Sequence, residues 1–192
     1  MHLVKRSFVA SIAGAFLMAG FETPASAQEQ IISTFDGVYA AEEKLAGYTT
    51  SVSVLPGEAL KLRVRSTSAW LVKIVRIGSY AGGDGRVVDS VGTQAAVPQP
   101  NCTTTPDTFM VSCPWIDTLS FVTITWTTGL YVARMESADG YAIAPFVVRS
   151  SSNVGKTVAN YGVLTVAAYN KFGGASAYRG LDNTPTNKSR VV

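Results

Sequence analysis

The chain carries a single histidine among its 192 residues, and that residue is His2. Beyond the N-terminus there is no imidazole, which excludes a Ser-His-Asp triad, a Cys-His pair and any histidine metal ligand. Cysteine is almost as scarce. Cys102 and Cys113 fall in one polar loop without further metal-ligating residues nearby, so a disulfide between the two is expected, with a reactive or metal-binding thiol pair as the alternative. Charge is sparse and balanced, with 16 basic against 13 acidic residues and a net charge of +3. Scattered as they are, the basic residues give no footprint for nucleic acid or an anionic membrane surface. After residue 27 no apolar run is long enough for a transmembrane helix. Repeats and low-complexity tracts are also absent.

The N-terminus is organised as a signal peptide. Lys5 and Arg6 precede a small and apolar run from Phe8 to Phe21, and Ala25-Ser26-Ala27 supplies a cleavage pattern. Residues 1–27 are therefore expected to be removed, leaving no membrane attachment and placing the protein in the periplasm or outside the cell. An uncleaved anchor is the alternative, but Glu22 and Pro24 interrupt its apolar run. In an oxidising compartment a Cys102–Cys113 bridge closes a short loop and stabilises by about 2–3 kcal/mol on the loop-entropy account. Asn101-Cys102-Thr103 and Asn187-Lys188-Ser189 match the short glycosylation pattern.

Residues 28–149 are expected to form one β-sandwich domain, mixed in pattern over 28–47 and strand-like from Tyr48. Glu42 to Ala46 is compatible with one helical turn. Thr49–Leu55, rich in β-branched residues, and Leu60–Arg65, which alternates apolar and basic, flank Pro56-Gly57-Glu58 as a hairpin. Further strands are expected at Leu71–Ile77, Arg86–Val91, Leu119–Thr127, Leu130–Glu136 and Tyr141–Arg149. In the fifth of these seven segments Val122, Ile124 and Trp126 are expected on one face. Asp139-Gly140 is a hairpin signal, and Pro145 marks an edge or a bulge. The glycine-rich stretch Gly78–Gly85 precedes a strand and lacks a Lys-Ser/Thr ending, so it is a turn and not a phosphate cradle. Residues 92–118 form a long loop that the disulfide would staple. Roughly seven short strands in about a hundred residues predict a mainly β chain, an immunoglobulin-like antiparallel β-sandwich.

Ser150–Gly155 reads as a linker, and the segment after it is too short to bury a core of its own. Residues 150–192 are expected to be the incomplete start of an α/β domain. Its first strand would lie at residues 163–168, and the terminal Arg190-Val191-Val192 resembles the beginning of another. Between them, Val163–Gly180 is the stretch with most chemistry in it. Tyr169 and Asn170 stand at a strand end, and Gly173 and Gly174 permit a tight turn or a close backbone approach. Tyr169 has two readings, a core ring with its hydroxyl on a backbone group or a ligand side chain. Glu42 and Glu43 are adjacent and point apart, so they are no acid–base pair. Trp70, Trp115 and Trp126 are not spaced as one sugar-stacking surface.

Five segments occur in an ordered succession: Pro56-Gly57-Glu58, Val75–Tyr80, Trp126–Tyr131, Pro145–Arg149 and Ala168–Tyr178. The succession resembles the large (beta) subunit of N,N-dimethylformamidase and its relatives, over roughly residues 48–192. The resemblance implies a β-sandwich ahead of a larger catalytic domain that hydrolyses the C–N bond of a small amide with mononuclear iron. The iron is held there by tyrosine phenolates and a glutamate, hard donors suited to a ferric ion. By that resemblance Tyr169 is the candidate metal ligand, Asn170 a candidate catalytic side chain that orients the ligand or a substrate carbonyl, and Tyr178 a weaker candidate. Asp182 is the only carboxylate beyond residue 149, so the chain is expected to be an inactive fragment without a complete iron site. The competing expectations are a secreted, non-catalytic sandwich that binds a partner, and a module for homo-oligomer assembly.

Overall fold

The computed structural model describes residues 30–152, 154–155, 157–180 and 188. The expected leader at 1–27, the sequon asparagine Asn187, Asp182 and Arg190-Val191-Val192 lie outside the described residues. The chain is mainly β. In order it forms β1 (Ile31–Ile32), β2 (Leu45–Thr49), β3 (Ser53–Val54), β4 (Ala59–Ser66), β5 (Trp70–Tyr80) and β6 (Gly83–Gln94). There follow β7 (Thr103–Thr104), β8 (Val111–Ser112), β9 (Leu119–Val122), β10 (Gly129–Ser137), β11 (Gly140–Val148) and one helix, α1 (Val163–Tyr169).

Two sheets carry the fold, one ordered β1-β6-β5-β10-β11-β3 and the other β2-β4-β9, with β7 and β8 as a separate small hairpin. Every pairing is antiparallel except that of β3 with β11. The alternation of Leu60, Leu62 and Val64 with Lys61, Arg63 and Arg65 makes β4 a half-buried strand: the three apolar residues are fully buried and Lys61 is exposed. They pack, with Leu45 of β2 and Phe121 of β9, against Val72 and Ile74 of β5, Tyr131, Ala133 and Met135 of β10, and Ala144, Phe146 and Val148 of β11. One apolar layer thus lies between two sheets, which is a β-sandwich.

The turns are mostly where the residues place them. Gly82 (φ +94°) closes β5 onto β6 and Gly140 (φ +121°) closes β10 onto β11, both left-handed conformations that suit glycine. Pro145 sits on an edge as expected. Val147 and Arg149 donate their N–H groups to Val52 O and Val54 O, so the alternating residue 145 directs its nitrogen to the same side, short of β3.

Four expectations are corrected. The hairpin partner of β4 is Leu45–Thr49, not Thr49–Leu55, because the chain crosses between sheets at residues 50–52 and joins the other one as β3. Glu42 and Glu43 lie in a turn that ends at Leu45, where β2 begins. The strand expected at Leu119–Thr127 stops at Val122. There the buried Thr123 hydroxyl stands 2.7 Å from Glu58 O and 3.0 Å from Leu55 O and accepts the Gly57 N–H, drawing the chain into a turn. Trp126 consequently turns inward while Val122 and Ile124 stay exposed, and the three share no face. The fourth correction, at residues 163–168, belongs to the site below.

Across the large sheet, Glu136 accepts from Arg134 Nε at 2.8 Å and from Lys73 Nζ at 3.1 Å. Burial pushes the Glu136 carboxyl up, but these hydrogen bonds and the two cations outweigh it and hold it below its ordinary value. A carboxylate depressed in the folded state stabilises above its unfolded pKa and loses that contribution as pH falls through its folded value. Urea unfolding of the wild type should therefore weaken as pH drops below the ordinary carboxylate range. Glu136→Gln should be less stable at neutral pH and show a shallower acid decline; parallel pH profiles for the two proteins would refute the linkage.

Candidate functional site

The apolar run at residues 163–168 is helical, not the strand expected from its β-branched residues. No strand edge pairs with it, so its backbone groups are satisfied within the segment: Val166 N–H reaches Gly162 O at 3.1 Å, and Asn170 N–H reaches Val166 O at 3.0 Å. Ala167 and Ala168 favour this outcome, and Val163, Thr165 and Val166 oppose it only weakly. The helix buries none of its residues, and Leu164 is 78% exposed.

Past α1 the chain turns back onto the sandwich. Asn170 Oδ1 accepts the Phe172 N–H at 3.1 Å, and Gly174 N–H bonds Lys171 O at 2.7 Å. Gly173 (φ +78°) and Gly174 (φ +100°) both take left-handed conformations, and a Cβ on Gly173 would meet Val111 Cγ2 at 2.5 Å. Glycine is therefore required twice over at 173, by its dihedral and by the close approach. Two contacts then moor the loop. Gly173 N–H donates to Glu42 Oε2 at 3.0 Å, and the Phe172 ring meets Trp115 edge-on at 6.2 Å. Ala175 and Ser176 are buried beneath, and the Ser176 hydroxyl accepts N–H groups of Tyr178 and Arg179.

The opposite wall is the disulfide-stapled hairpin. Cys102 and Cys113 are bridged, with Thr103–Thr104 paired to Val111–Ser112 inside the closed loop. Tyr48 Oη donates to Cys113 O at 2.7 Å and accepts from Arg63 Nη1 at 3.3 Å. Trp115 Nε1 donates to Pro100 O at 2.9 Å, and the Arg65 guanidinium lies 5.7 Å from the Trp115 ring centroid. Hairpin, sandwich and loop enclose a cleft of about 520 Å³, lined among others by Gly47, Tyr48, Met110, Ile143, Asn170 and Phe172. That size lies within the range of small-ligand sites, roughly 300–1,000 Å³.

The structure divides the residues singled out from the sequence. Asn170 lines the cleft, and Gly173 and Gly174 build its rim. Tyr169 and Tyr178 do not line it. They stack on each other with centroids 4.3 Å apart and planes 15° apart, and are 60% and 50% exposed. The reading of Tyr169 as a core ring therefore fails. Their phenols are right in kind for a hard cation but too few. Among the described residues no group of three or more His, Cys, Asp or Glu side chains is arranged to hold a metal. Glu42, Tyr48, Trp115 and Ile143 were not singled out from the sequence as parts of a cleft, because pairing and loop closure bring them together across long stretches of chain.

No described helix is long and apolar enough to cross a membrane, and the closed disulfide is compatible with an oxidising compartment. A family model described as N,N-dimethylformamidase beta subunit-like, C-terminal, matches residues 71–192. The match starts within β5 and runs through the cleft-forming loop. No curated protein and no solved structure matches the chain.

Proposed function

Because the chain belongs to the N,N-dimethylformamidase beta subunit-like family, we propose that it serves an amide hydrolase that cleaves a C–N bond, contributing the sandwich and the tyrosine-bearing segment of its site. The observation that carries this reading is the stacked Tyr169–Tyr178 pair, within the matched residues and next in the chain to Asn170, which lines the cleft. In this reading the substrate is a small amide, iron is the metal, and the remaining donors come from outside the described residues. The chain alone is then inactive, a fragment of a larger α/β catalytic unit. Export is part of the proposal, supported by the leader pattern and the disulfide. The immunoglobulin-like type of the sandwich is supported by its strand order and by Tyr131, whose hydroxyl donates to Thr127 O at 2.6 Å near the start of β10.

The test is titration of the whole chain with ferric ion, followed by visible absorption. A weak phenolate-to-iron colour is expected, together with no turnover of formamides above background. Tyr169→Phe should abolish the colour. Colour that survives the substitution removes Tyr169 from the metal site, and turnover by the wild-type chain alone would show that it is not an inactive fragment. A second reading, a secreted non-catalytic binding module, is favoured by the cleft wall of Tyr48, Trp115 and Phe172. Ligand binding without any ferric colour would select it.

A further inference from the structure

Both sheets present an unpaired edge to the same cleft. On β11, Tyr141 N–H donates to Val38 O at 2.9 Å and its carbonyl accepts from Ala40 N–H at 2.9 Å, while Val147 N–H donates to Val52 O at 3.0 Å. The N–H and C=O of one strand residue point to the same side, so the odd-numbered residues of β11 face away from β10. The covering chain leaves this edge after Ala40, detours through β2 and returns at Val52. In the gap, Ile143 N–H, Ile143 C=O and Pro145 C=O have no partner among the described residues. On β2 the even-numbered residues face β4: Lys44 O accepts from Thr67 N–H at 3.0 Å and Thr50 N–H reaches Lys61 O at 3.1 Å. Gly47 therefore faces outward, and its neighbour Val64 turns its own groups to Thr118 and Gln99. Gly47 and Ile143 both line the cleft.

We propose that this cleft binds an extended peptide segment, which adds to the edge of β11 at Ile143 and fills the interval between residues 38–40 and β3. The donor–acceptor pattern identifies the class of ligand. One strand residue offers an N–H and a C=O spaced to exchange two hydrogen bonds with an extended chain, a demand that peptide backbone meets and a tertiary amide lacking N–H does not. Both flanking segments run parallel to β11, which sets the direction of the guest. Pro145, having no N–H, sets its register, because the guest opposite it needs no acceptor. Guest side chains on one face meet Met110, Ala167 and Phe172, an apolar wall suited to alternate apolar residues. The proposal does not rest on amide hydrolysis and survives its failure.

Fluorescence polarisation of the whole chain with a labelled, end-blocked tripeptide of alternating valine and threonine, the length that fits opposite residues 143–145 between Ala40 and Val52, tests it. Saturable binding is expected, and N-methylation of the guest residue that follows the one facing Ile143, whose N–H reaches Ile143 C=O in a parallel pair, should weaken it roughly tenfold, with little effect at the facing residue itself. Amide hydrogen exchange at Ile143 should slow on binding. Ile143→Pro, which removes the donor on an edge that already tolerates Pro145, should weaken binding similarly; should that variant not fold, the N-methyl scan on the wild type decides alone. Absence of saturable binding, equal tolerance of N-methylation at every position, or unchanged exchange at Ile143 would overturn the proposal.

Discussion

Replacing Phe146 by alanine should lower the unfolding free energy by about 3–5 kcal/mol, the usual cost of emptying a large buried aromatic site. Phe146 is fully buried on β11, with its ring 5.5 Å from Tyr131 and 6.0 Å from Trp126. Trp126 in turn stacks on Tyr131 at 5.8 Å and meets Phe121 of the small sheet at 6.1 Å. The ring therefore stands inside an aromatic cluster that joins both sheets. Its neighbours are fixed by their own hydrogen bonds, Tyr131 through Thr127 O and the main chain of Trp126 through Thr123 O. The cavity left by truncation cannot collapse freely, which places the cost toward the upper end. Since a domain of this size holds roughly 5–15 kcal/mol in all, the loss would be a large share of it. Urea denaturation checks it, with Phe146→Leu as the milder comparison. A loss below about 1 kcal/mol for the alanine variant would mean that the sheets do not share this core.

The same packing explains which parts of the fold were legible in the sequence. Leu60–Arg65 announced itself because β4 has one dry and one wet face, and period two records that directly. Asp139-Gly140 was legible because the residue that follows the 138–139 turn and opens β11 takes a positive φ, which glycine supplies. The disulfide followed from two cysteines in one loop. Leu119–Thr127 misled because Thr123 turns the chain through bonds to residues 55, 57 and 58, partners no local window contains. Val163–Tyr169 misled because a short apolar run is compatible with both periods, and the presence or absence of an adjoining strand decides between them. At the site, Asn170 and the glycine pair were legible as local chemistry. Glu42, Tyr48 and Ile143 were not, since their roles arise from the crossing at residues 50–52 and from the alternation of backbone groups along β2 and β11.

Gly173→Val should release the loop from the sandwich and abolish the cleft while leaving the sandwich folded. Two penalties combine. A β-branched residue at φ +78° costs about 1–3 kcal/mol. The new Cβ also falls 2.5 Å from Val111 Cγ2, on a hairpin fixed by the Cys102–Cys113 bridge and by Tyr48, so the neighbour has little room to withdraw. Against them stand few moorings, chiefly the Gly173–Glu42 hydrogen bond, the Phe172–Trp115 contact and the buried Ala175 and Ser176. A combined cost of about 3 kcal/mol shifts the docked-to-released ratio by roughly a hundredfold. Limited proteolysis should then cut residues 154–180 far faster than in the wild type, and Trp115 emission should change as Phe172 withdraws. The thermal midpoint of the sandwich should move little, because its shared apolar layer contains no residue beyond Val148. Gly173→Ala separates the two causes, keeping most of the overlap and a smaller dihedral cost. Proteolysis of both variants at the wild-type rate would show that the loop is not held where Val111 and Glu42 place it, and the cleft would lose one of its walls.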